Sequence, residues 1–246
     1  MEKRKRKGFG AKFVWLSSRI FNRKPKFVYK EDISKIDNAI IICNHNYERG
    51  PTKWSNHFPY NISIWGNYTF TRSARETCHA LTDAMLRGGK PKFWAKIVGT
   101  IGGPFVYYGF KHSNIIPVYR DMRMYITFTK SIEEYEKGHN ILLFPDDNIH
   151  GFKYEIRDIM PGFLILARQL QERGHDPYII CAQESPKAKM IVLDKPIKLS
   201  ELDSKFNSDE EILEYFKNTI NGLYPNYCKE HGLKKLKNKR KRVELK

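Results

Sequence analysis

A chain of 246 residues that is 41% hydrophobic can bury the core of one large domain, or at most two small ones, without covalent staples, which excludes a disordered protein. Its four cysteines, Cys43, Cys78, Cys181 and Cys228, form no C-x-x-C pair, so neither a zinc site nor a disulfide framework is expected and a reducing, cytoplasmic setting is the default. The formal charge of +17 sits at the two ends: residues 1–30 carry +10 and residues 229–246 carry +7, so residues 31–228 are neutral in sum, which argues against a nucleic-acid-binding body.

In chain order, "MEKRKRK" leads into "GFGAKFVWLSSRIFNRKPK", where Phe9, Phe13, Leu16 and Ile20 recur at helical spacing. Trp15 and Phe21 widen that face, Lys12, Arg19 and Arg23 lie opposite, and Pro25 closes the segment. A basic amphipathic helix with aromatic residues is expected to lie in a membrane interface, or else to pack on the protein's own core. Each cation near an anionic leaflet is worth roughly 1 kcal/mol, so the expected partner is an anionic membrane surface, held reversibly at the cytoplasmic face. No apolar run approaches the ~18 residues of a membrane span, and the basic start lacks the apolar region and cleavage site of a secretory signal. The expected organisation is a membrane-associating segment at 1–30, one domain at 31–228 and a basic tail at 229–246.

Short apolar runs predict strands at 39–43 ("AIIIC"), 61–65 ("NISIW"), 114–119 ("NIIPVY"), 140–144 ("NILLF"), 178–182 ("YIICA") and 189–193 ("KMIVL"). Helical patterns alternate with them. One runs over 71–89 from a threonine cap to Gly88 and Gly89, one over 122–140 ending on Gly138, and one over 160–175 ending on Gly174. A fourth, over 207–224, opens with a Ser or Asn cap and acids in its first turn. Strands alternating with helices predict a single α/β domain, its mostly parallel or mixed sheet flanked by helices. The segment 92–110, "KFWAKIVGTIGGPFVYYGF", is apolar all round and interrupted by Gly102, Gly103 and Pro104, so it is expected to be buried, with a lipid-facing or acyl-chain-lining role as the alternative.

"CNHNYERGP" (43–51), "NIIPVYRD" (114–121) and "LLFPDDNIHGF" (142–152), followed by "MPGFLILARQ" and "YIICAQESP", occur in a telling order. Over roughly residues 38–200 this set resembles the glycerophospholipid acyltransferase superfamily, which includes the 1-acylglycerol-3-phosphate acyltransferases. Its blocks read N-H-x-x-x-x-D, then a hydrophobic strand ending in x-Arg, then F-P-E-G-T-R. The resemblance implies a glycerol-phosphate acyltransferase-like α/β domain that moves an acyl chain from acyl-CoA or acyl carrier protein to a lysophospholipid or glycerol-phosphate hydroxyl. By the same resemblance His45 matches the catalytic histidine, Arg120 the residue that holds acceptor phosphate, and Phe144, Pro145 and Asp146 the F-P-E of the third block.

The departures are specific. The family's aspartate falls on Gly50, the glycine of its third block on Asp147 and the arginine on Ile149. The chain is more similar to a divergent branch that reads N-H-x-x-x-x-G-P and F-P-E-D.

Acyl transfer from a thioester to an alcohol needs a base for the hydroxyl proton, and a histidine with its ordinary pKa near neutrality suits that task. A carboxylate normally orients such a ring. Gly50 has none to offer, so Glu48 is expected to serve if the segment turns helically after the strand, with Asp146 or Asp147 as the other candidates. Arg49, Arg120, Phe144, Pro145, Asp146 and Asp147 complete the expected substrate-binding set. Two adjacent carboxylates make no metal site, and His79, His112, His139, His150 and His175 have no ligand spacing, so no metal and no cofactor beyond the acyl-donor co-substrate is expected. A lipid-binding relative without chemistry, and a tail-driven nucleic-acid binder, are the readings from other classes.

Overall fold

The computed structural model describes residues 1, 24–45, 49–87, 89–111, 113–146 and 155–236. The predicted amphipathic helix ahead of residue 24 and the tail from residue 237 lie outside the described residues.

An eight-stranded mixed sheet forms the centre: β1 (Lys26–Tyr29), β2 (Ala39–Cys43), β3 (Ile62–Asn67), β4 (Ile115–Val118), β5 (Asn140–Leu143), β6 (Tyr178–Ser185), β7 (Met190–Leu193) and β8 (Ile197–Lys198). Along the sheet the order is β1-β7-β6-β2-β5-β3-β4, with β8 paired to β6. The block β6-β2-β5-β3-β4 is parallel, while β7 and β8 run antiparallel to β6. All six predicted strands are present. β1, drawn from the basic N-terminal stretch, and the two-residue β8 are not among them, because neither is an apolar run long enough to stand out.

The helices are α1 (Arg49–His57), α2 (Thr69–Arg72), α3 (Ala74–Arg87), α4 (Lys92–Lys111), α5 (Met124–Glu136), α6 (Gly162–Glu172), α7 (Leu199–Asp203) and α8 (Asp209–Glu230). The chain does leave α5 and α6 through Gly138 and Gly174, both at positive φ, where a side chain would be strained. Ser208 caps α8 by accepting from the Glu211 N–H, ahead of three acids in the first turn. The pattern predicted over 71–89 divides in two. Ser73 is extended, and its hydroxyl accepts from the Glu76 N–H, so Ser73 and not Thr71 starts the long helix α3.

Every residue of β2 is buried, as a strand covered on both faces requires. Ile40 and Ile42 join the core beneath α5, α6 and α8, while Ala39, Ile41 and Cys43 join the other core with Trp54 of α1 and with Phe58 just after it. The chain therefore leaves β2 toward one face through α1 and leaves its neighbour β5 toward the opposite face through α6. Adjacent parallel strands whose connections diverge open a crevice at their carboxyl ends, the usual ligand position in such sheets.

The segment expected to be buried is instead the 20-residue helix α4, with Pro104 inside it and most of its large side chains in solvent. Its small residues are the buried ones: Ala95, Gly99, Gly103 and Gly109. Gly99 and Gly103 form a groove against α3, and a methyl group on Gly103 would lie 2.7 Å from Cys78 Cα. The proline is tolerated because the carbonyl it deprives of a partner, that of Thr100, accepts from the Cys78 thiol at 3.9 Å. No helix among the described residues is long and apolar enough to cross a membrane.

Gly103→Ala must push α3 and α4 apart, since the obstacle is backbone. We expect a loss of about 1–3 kcal/mol in urea unfolding, whereas alanine at Gly138 meets no neighbouring atom and costs only the strain of its positive φ.

Candidate active site

His45 lies two residues past β2, at the crevice between β2 and β5. The ladder pairs Ile40, Ile41 and Ile42 with Ile141, Leu142 and Leu143, and the same offset carries His45 to Asp146. There the backbone ladder gives way to a side chain: the His45 N–H donates to both carboxylate oxygens of Asp146, at 3.1 Å each. Asp146 is buried, and its own backbone is held from behind by a bridge to Ile159 and by the Met160 N–H donating to the Pro145 carbonyl at 2.7 Å. The Phe144 ring meets the imidazole edge-on, with centroids 4.8 Å apart.

On the other side of β2 a second side chain replaces the ladder. Asn44, fully buried, accepts the Glu184 N–H at 2.6 Å through Oδ1 and donates to the Glu184 carbonyl at 3.2 Å through Nδ2. One carboxamide thus satisfies both backbone groups of a residue on β6, which accounts physically for an asparagine ahead of the histidine. The Glu184 carboxylate, itself buried, pairs with Lys53 of α1 and ties that helix to the sheet end.

Burial lowers the His45 pKa to about 4, so the ring is neutral at physiological pH. Because the unfolded chain would protonate near 6.5, the folded state binds fewer protons in between, and stability falls as pH drops from about 6.5 through about 4. The neighbouring Cys43 thiol is pushed well up by burial, reinforced by Glu184 and Asp146, which removes it as a nucleophile.

The predicted site residues do not all converge. His45, Phe144, Pro145 and Asp146 come together at the crevice. Glu48 and Asp147 lie outside the described residues, and Arg49 is the first residue of α1, its side chain outside them too. Arg120 is exposed two residues beyond β4, the edge strand. Three strand spacings, about 14 Å, separate β4 from β2. Asn44, Lys53 and Glu184 are absent from the predicted set. An acid inside the apolar run "YIICAQES" was the available signal, since a charge buried in a strand requires a partner.

A second Ser, His and acid cluster, Ser63, His139 and Glu134, sits at the opposite end of the sheet, where β3 and β5 begin. Ser63 and Glu134 both approach the same ring nitrogen, Nδ1, so no proton path runs from the hydroxyl through the ring to the acid. Among the described residues no group of three or more His, Cys, Asp or Glu side chains could hold a metal ion.

No family model and no curated protein matches the chain. Among solved structures it is similar to the 1-acyl-sn-glycerophosphate (LPA) acyltransferase, PlsC, from Thermotoga maritima, at 13% identity and a TM-score of 0.45, over 93% of this chain and 81% of that one.

Asn44→Ala leaves the buried backbone groups of Glu184 unsatisfied. It is expected to lower stability by about 2 kcal/mol, read as a reduced urea midpoint at unchanged m value; an unchanged midpoint would show that water replaces the carboxamide at no cost.

Proposed function

We propose that the chain is an acyltransferase that moves a fatty acyl group from acyl-CoA or acyl carrier protein to a lysophospholipid or glycerol-phosphate-type hydroxyl, with His45 as general base. The observation that carries this reading is the position of a neutral imidazole at the crevice where the connections of β2 and β5 diverge, its backbone fixed by Asp146. Burial keeps the ring unprotonated at neutral pH, the state in which a base must wait for substrate.

In the proposed reaction the acceptor oxygen attacks the thioester carbonyl while His45 takes the hydroxyl proton. The tetrahedral intermediate then collapses, the carbon–sulfur bond breaks, and the imidazolium returns the proton to the departing thiolate. The ester and the free thiol are the products, and no other reactant is needed. Glu48 is the proposed orienting acid for the ring and Asp146 holds its backbone. Arg49, Arg120, Phe144, Pro145 and Asp147 are proposed to contact substrate, Arg120 at the far end of an acceptor long enough to reach the edge strand. The proposed setting is the cytoplasmic face of an anionic membrane, with the basic residues 1–30 providing attachment.

Mixing the protein with an acyl thioester and a lysolipid should release free thiol, and His45→Ala should reduce the rate about 10³-fold while the protein stays folded by circular dichroism. Absence of turnover with acyl-CoA and with acyl carrier protein donors would contradict the proposal, and lipid that co-purifies without turnover would favour a lipid-binding scaffold.

A further inference from the structure

The neutrality of residues 31–228 conceals a segregated block. From Ala84 to Arg120 the chain contains no Asp or Glu but carries Arg87, Lys90, Lys92, Lys96, Lys111 and Arg120. Helix α4 occupies most of that block, and it is built inside out for a helix in water. Phe93 is 71% exposed, Trp94 58%, Ile101 64% and Phe105 67%, while its glycines and Ala95 are the residues packed inward. At 3.6 residues per turn these four side chains, with Pro104 and Tyr108 among them, span an arc of about 120°. Lys90, Lys92 and Lys96 stand exposed at one end of the stripe and Lys111 at the other. Beyond Lys111 lies a cleft of about 370 Å³, lined in part by Lys130 and by Arg72 and Arg123, which pair with Glu76 and Asp121.

An exposed apolar stripe of this kind marks a contact surface, and its chemistry selects the partner. Aromatic rings flanked by lysines suit the boundary of an anionic bilayer, with rings at the acyl-chain boundary and ammonium groups among the headgroups. A second copy of the chain is a poor fit, because a two-fold contact through this face would set the same cations against one another. Residues 2–23 are a poor cover for the same reason, since they too are strongly basic. The neighbouring helix α3 adds Leu86 to the exposed apolar surface but turns Arg75, His79 and Asp83 to solvent, so most of that surface belongs to α4.

We propose that α4 is a membrane-docking element: it lies along an anionic bilayer with Phe93, Trp94, Ile101 and Phe105 inserted into the interface and its terminal lysines on lipid phosphates. The glycine groove against α3 makes this possible, because small residues on the inner face leave Phe93, Trp94, Ile101 and Phe105 free for lipid. The inference rests on the peripheral-membrane part of the proposed function and is independent of whether the crevice performs acyl transfer.

The test uses the full-length protein carrying Trp15→Phe, which removes the tryptophan of the N-terminal segment, with vesicles of phosphatidylglycerol and phosphatidylcholine. Some vesicles carry brominated acyl chains. The expected result is quenching of a tryptophan component that Trp94→Phe removes, and a roughly tenfold or greater loss of vesicle affinity in Phe93→Ser/Ile101→Ser/Phe105→Ser. Lys92→Glu/Lys96→Glu, which keeps every ring, should also weaken binding, most at low salt. Vesicle binding without quenching, or with full affinity in the serine variant, would overturn the assignment to α4 while leaving attachment by residues 1–30 intact. No binding to anionic vesicles would overturn both, and a dimer that the serine substitutions dissociate would assign the face to a second copy.

Discussion

The end of β2 is the constraint on which the rest depends. A strand buried on both faces and flanked on both edges cannot simply stop, because the backbone groups at its end still require partners. Here two side chains continue the ladder. Asn44 pairs with the backbone of Glu184 on β6, and Asp146 after β5 receives the N–H of His45. The imidazole is thereby delivered at a fixed point, at the level where α1 departs toward one face and the chain to α6 toward the other. The Lys53–Glu184 pair then ties α1 to the same point, so the wall of the crevice and the strand end share one network.

How much of the fold is legible in the sequence depends on how local each signal is. The strands of the parallel block announce themselves as apolar runs because both of their faces are covered, and the glycine exits of α5 and α6 because positive φ leaves little choice of residue. β1 and β8 are four and two residues long and carry no such pattern. Helix α4 was legible as unusual but not as exposed: an all-apolar stretch does not say which side faces inward. The four-residue spacing of Gly99 and Gly103 held that information, because a groove of glycines shows where a neighbouring helix must come close. Charge misled in a similar way, since a neutral sum over 31–228 is compatible with the acid-free block from Ala84 to Arg120.

The site divides along the same line. His45, Phe144 and Asp146 could be found from the order of short motifs, and the parallel register brings them side by side although 101 residues separate His45 from Asp146. The pairing of Asn44 with Glu184 spans 140 residues and leaves no periodic trace. Arg120 is the opposite case. A motif placed it in the site, whereas the strand order sets β4 at the sheet edge, across two intervening strands from β2.

The central claim, that the pinned strand end presents an uncharged imidazole, is tested most directly by following the ring resonances of His45 through a pH titration of the folded protein, assigned by comparison with His45→Gln. The account predicts a neutral ring from pH 8 down to pH 5 and a midpoint near 4. A midpoint close to the ordinary 6.5 would mean that the ring is solvated in solution, and would contradict the desolvated position assigned to it at the strand end.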